Sequence, residues 1–109
     1  MAQDFKRYQD SATGVTPVVV HTADSNDTVI SIRLANIHAS AAINVDVYVT
    51  ISAVNYYIIK NGPIPYGSSL ELIDGGAKIV LQTGDALTVL SDTASSLDSI
   101  VSVVDAVSA

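Results

Sequence analysis

Two histidines, His21 and His38, are the side chains of this chain best suited to bind a metal or move a proton. Neither has a second ligand at a spacing such as H-x-x-x-H, and zinc or iron needs three or four convergent ligands. Both read as polar residues of strands or loops, and no metal or cofactor is expected. Gly67-Ser68-Ser69 matches the first half of a nucleophile elbow, G-x-S-x-G, but the second glycine is missing. Glu71 is the only glutamate, so a facing pair of carboxylates for glycoside hydrolysis would have to draw on aspartates that sit mostly in turns. Asp24, Asn26 and Asp27 form a run of oxygen ligands without the glycine and closing glutamate of an EF-hand loop. Calcium could bind there only if other loops supplied ligands. Gly75-Gly76 and Gly84 precede no helix and cannot cradle a phosphate. The pair Tyr56-Tyr57 could stack on a sugar or a base, but packing is the simpler role. With no nucleophile–base pair, the chain reads as non-enzymatic.

The elements that would carry these residues are strands. Residues 43–51 (INVDVYVTI) alternate strictly, with Ile43, Val45, Val47, Val49 and Ile51 on one face, a pattern a helix would scatter. Residues 28–36 place Ile30, Ile32 and Leu34 on one face and Ser31 and Arg33 on the other. Further strands are expected over 16–22, 56–60, 68–73, 77–82, 86–91 and 97–104. Asn61, Gly62, Pro63 and Pro65 predict a bend, and Asp74-Gly75-Gly76 predicts a hairpin turn whose two arms pair. About eight short strands, punctuated in this way, define an all-β antiparallel sandwich, Ig-like or jelly-roll-like. Residues 1–14 read as a flexible N-terminal arm, with Phe5 and Tyr8 as candidate anchors, and 15–109 as one sandwich domain.

Composition narrows the function. Of 109 residues, 49% are hydrophobic and 15% are charged, against a usual charged share of about 25%. Some surface is therefore expected to be covered by a partner. The net charge of −6, with five scattered basic residues, argues against nucleic acid. Cysteine is absent, so no disulfide framework is possible. The opening residues MAQDFKRYQD lack the apolar core of a signal peptide, and no apolar run approaches the ~18 residues of a membrane helix. No export step and no membrane partner are expected.

The half from Tyr56 onward resembles a group of small virion structural proteins of tailed bacteriophages. The resemblance rests on Tyr57 to Asn61, Ile64 to Leu70 (IPYGSSL), Asp74-Gly75, Lys78 to Leu81 (KIVL), Gly84-Asp85 and Ser91 to Asp98. Ala35-Asn36 and Val45 to Val49 are the best fits in the other half. It implies a component of the particle with no enzymatic activity, assembled in the host cytoplasm. Its foremost form is a capsid decoration (cement) protein, a dimer or trimer that bridges neighbouring copies of the major capsid protein. A neck or tail adaptor, a fibre-associated virion protein and a surface carbohydrate-binding module are the alternatives. Phe5, Tyr8, Tyr48 and Tyr66, aromatic and expected on outward faces or in turns, are the candidate partner contacts.

Overall fold

The computed structural model describes residues 4–73 and 78–105. It is all-β, with nine strands: β1 (Asp4–Thr13), β2 (Val18–Thr22), β3 (Asp27–Asn36), β4 (Ile43–Ile51), β5 (Val54–Ile64), β6 (Ser69–Glu71), β7 (Ile79–Leu81), β8 (Ala86–Ser91) and β9 (Leu97–Asp105). One antiparallel sheet runs β1-β9-β3, with β6 and β7 both on the far edge of β3; the other runs β2-β8-β4-β5.

β6 and β7 are one interrupted strand. Glu71 lies opposite Arg33, and Ile79 lies opposite Val29. Glu71 and Ile79 are eight positions apart in the chain, and their partners on β3 are four apart. Counted this way the described residues form eight strands, paired first with last, second with seventh, third with sixth and fourth with fifth. Successive pairs alternate between the two sheets. That winding is the jelly roll, and it decides between the two sandwich types left open by the sequence. The turn at Asp74-Gly75-Gly76 lies outside the described residues, but its arms do not pair with each other as a hairpin would. Both pair with β3. Where the ladder is interrupted, the Glu71 carboxylate takes the place of a carbonyl: its Oε2 accepts the Ile32 N–H at 2.9 Å.

Two further expectations are corrected. The segment read as a flexible arm is, from Asp4 to Thr13, an ordered edge strand paired with β9 over almost its whole length. Its alternation is weak because most of its side chains are exposed, so the sequence carries little periodic signal. Of the bend expected at Asn61, Gly62, Pro63 and Pro65, only the Pro65 end turns, where the Ser68 N–H donates to Pro65 O; Asn61 to Pro63 stay within β5, which runs on to Ile64 through irregular register opposite Val45–Tyr48. Asn61 adopts φ 53°, and Pro63 is tolerated because β5 is an edge strand. Gly62 makes room there for the Ile59 side chain, which would have to change rotamer to admit a larger residue. A Cβ at this position would lie 2.6 Å from Ile59 Cγ1.

The core lies between the sheets. From β3 and β9 it takes Val29, Ile32, Leu34, Leu97, Val101 and Val103, all fully buried. From β4 and β8 it takes Ile43, Val45, Val47, Leu87 and Val89. In β3 the inward set begins at Val29 rather than Ile30, because a register shift between Val29 and Ser31 moves the alternation by one residue. Complete burial of each such side chain contributes roughly 1.5–3 kcal/mol.

Candidate functional site

Two groups of side chains stand out. The first is polar and lies beside the loop from β2 to β3. His21 of β2 and Asp27 of β3 are both buried, with Nε2 2.7 Å from Asp27 Oδ2. The Tyr8 ring of β1 stacks on His21 at 4.1 Å between centroids and closes this side of the sandwich. Ser25 Oγ lies 3.0 Å from an oxygen of Asp27, 3.0 Å from one of Asp105 and 3.3 Å from one of Asp24. Lys6 Nζ approaches Asp105 Oδ2 at 3.9 Å.

The chemistry available here is limited. In a hydrolytic triad the imidazole stands between the hydroxyl and the carboxylate. Here Asp27 stands between His21 and Ser25, so the ring is not placed to take the serine proton. The oxygens of Asp24, Asp27 and Asp105 lie within 4.8 Å of one another and, among the described residues, are the group whose spacing would suit a hard cation. The sequence pointed to Asp24, Asn26 and Asp27. In the fold Asn26 is exposed and Asp105, 78 residues further along from Asp27, takes its place. Within the set Asp105 already has the Lys6 ammonium as a counter-charge.

The carboxylates act on Tyr8. Burial first, then the negative charges of Asp105, Asp27 and Asp24, push its phenol above the ordinary value of 10.0. The folded state therefore holds this proton more tightly than the unfolded chain. The stability it confers is present in full below pH 10 and is lost as pH rises through the folded value. Titration of the phenols by ultraviolet absorbance is expected to show a late step above the ordinary tyrosine value. Tyr8→Phe should abolish that late step and flatten the loss of stability above pH 10.

The second group is aromatic and lies on β4 and β5. Tyr48 and Tyr57 are cross-strand partners on the outer face, with ring centroids 5.1 Å apart, and the Lys60 ammonium sits 4.4 Å over the Tyr57 ring. Tyr56 lies opposite Val49, and Val54 opposite Ile51, on the face that turns toward the other sheet. Toward the hairpin tip that face is uncovered: Tyr56 is 56% exposed and Val54 51%. The tip is a two-residue turn, Ser52-Ala53, with φ of 51° and 67°, the left-handed geometry that matches the twist of a hairpin.

The four aromatic residues expected as contacts do not converge. Phe5 stands 82% exposed opposite Val104 on the outer face of the β1 sheet. Tyr48 is half-buried on the outer face of the opposite sheet. Tyr66 is exposed in the turn after β5, where the Ser68 N–H donates to Pro65 O and Gly67 adopts φ 73°. Tyr8 is a correction. It is not an outward anchor but packs inward on His21 and the core. The sequence missed Tyr56 and Tyr57 as surface residues because alternation predicts which way a side chain points, not whether anything covers it.

No pocket is found among the described residues. Comparison with protein-family models gives no match, and comparison with the curated proteins gives none either.

Proposed function

We propose that this jelly-roll protein is a non-enzymatic structural component of a tailed-bacteriophage particle, a capsid decoration protein that binds as an oligomer across neighbouring capsid subunits. The observation that carries the reading is apolar surface on both outer faces of the sandwich. On one, Phe5, Val104, Thr28 and Val80 form a row across four strands, with Phe5 and Val80 strongly exposed. On the other lie Tyr48 and Tyr57. Two outer faces with apolar rows suit a protein held between subunits better than one with a single ligand. Jelly rolls occur in capsid proteins and in lectins, so the fold is compatible with this reading without carrying it. A protein that binds only the assembled shell stabilises it by RT ln(1 + [L]/Kd).

The test uses purified particles of the phage that encodes the chain. Hundreds of copies per particle, and a shell that ruptures at lower temperature once the protein is removed, are expected. Six or twelve copies would place it in the neck or tail instead, and absence from purified virions would overturn the proposal.

A further inference from the structure

We infer that β5 is a dimerisation edge: two copies of this chain join antiparallel through Val54–Ile58, about a two-fold axis at Tyr56. This makes the oligomeric part of the preceding proposal specific. It is tested on the free protein, so it and the particle role fail on separate measurements.

Among the described residues the sandwich has four sheet edges: β1, β2, β5 and the interrupted β6/β7. Every second residue of an edge strand turns its N–H and C=O away from the sheet, which invites another strand unless the edge is defended. Three of the four are defended. β1 carries Asp4, Lys6, Arg7 and Asp10, and its register shifts between Asp10 and Thr13. β2 has five residues and a register shift of its own, and Tyr8 from the other sheet lies over it. β6 and β7 have three residues each. β5 has eleven residues and its register shifts only beyond Tyr57, while its segment 54–59, VNYYII, holds no charge, proline or glycine. Uncharged β-branched and aromatic runs of this length are the ones that pair with copies of themselves.

Symmetry places the axis. Residues directly opposite each other in an antiparallel pair share a face, so a two-fold axis normal to the sheet must pass through a residue. Pairing is regular from Val54 to Tyr57 and breaks beyond Tyr57. An axis at Tyr56 uses that regular stretch and the first residue beyond it, Ile58. It sets Tyr56 against its own copy and Val54 against Ile58, which covers the apolar side chains that the facing sheet leaves bare at this end. Charge permits it as well. The molecule carries −6, yet β5 holds no carboxylate. The two Lys60 ammonium groups would be eight residues apart along the strands, about 26 Å, far beyond the screening length of about 8 Å. The strand edge is small, so the affinity expected is modest, on the order of micromolar.

Sedimentation equilibrium on the purified chain should show a monomer–dimer equilibrium. Tyr56→Lys puts two like charges opposite each other at the axis and should raise the dissociation constant by about 100-fold or more. Its thermal melt as a monomer should be unchanged, because Tyr56 is exposed within one copy. In a chain free of cysteine, Tyr56→Cys should form a disulfide-linked dimer, since paired strand positions sit within disulfide reach. Asn55→Cys should not, because its copy would lie two residues along the partner strand, beyond the ~7 Å limit. A chain that stays monomeric up to about 0.1 mM, a trimer, or a dimer untouched by Tyr56→Lys would each overturn the inference.

Discussion

Asp27→Ala is expected to destabilise the fold by about 3 kcal/mol, the upper end of the cost of leaving buried polar groups without their hydrogen-bond partner. The measurement is a urea titration, with the midpoint falling at an unchanged slope. Asp27 is fully buried and is bonded to the buried His21 ring at 2.7 Å. It also accepts from Ser25 in a turn that joins the two sheets. Alanine leaves the imidazole nitrogen without its acceptor inside the sandwich. An opposing effect exists, because removing one of three clustered carboxylates relieves their repulsion. That gain is the smaller of the two. Asp24 is exposed and screened by water, and Asp105 is near Lys6. The double variant His21→Phe/Asp27→Leu removes both partners together and should recover most of the loss, since an apolar pair leaves no orphaned polar group. A double variant no more stable than Asp27→Ala would show that an orphaned imidazole is not the cause of the loss.

Asn36→Ala should cost about 2–3 kcal/mol, by the penalty for leaving buried groups unsatisfied. Asn36 ends β3 and joins the two sheets. Its Nδ2 donates to Ile64 O of β5 at 3.0 Å and to Ala41 O at 2.9 Å, while its Oδ1 accepts the His38 N–H at 2.8 Å. One side chain thus fastens the connection from β3 to β4 and the end of β5. Alanine orphans two carbonyls and an N–H, and the Ile64 carbonyl lies where water does not easily replace the bond. Asn36→Asp separates shape from chemistry. It keeps the size, but an ionised carboxylate has no proton for the two carbonyls and faces their negative ends. It is expected to be at least as destabilising as alanine by the same urea titration. A milder effect for aspartate would mean that the His38 bond alone carries the role.

Both variants lie at positions whose residue type was plain in the sequence and whose partners were not. His21 and Asp27 are six residues apart, but Asp27 and Asp105 are 78 apart, and Asn36 and Ile64 are 28 apart. Nothing in a local window connects such residues.

The strands themselves were largely a matter of sequence. In β4 the alternation of apolar and polar side chains is local and has a period of two, and Ile43, Val45, Val47 and Val49 of the expected inward face are buried. The glycine at Gly67 and the Gln82–Asp85 turn are local too, since each is set by backbone angles and bonds within four residues. What the tertiary structure alone decided was pairing. It turned 4–13 from an arm into an edge strand, laid β6 and β7 end to end along β3, and wound eight strands into a jelly roll. It also decided which apolar residues stay bare. Val49 and Ile51 are equivalent in the alternation, yet one is buried and the other exposed, because the facing sheet covers the first and not the second. Alternation along a strand depends on its own backbone geometry, whereas partner and cover depend on residues brought in from far along the chain.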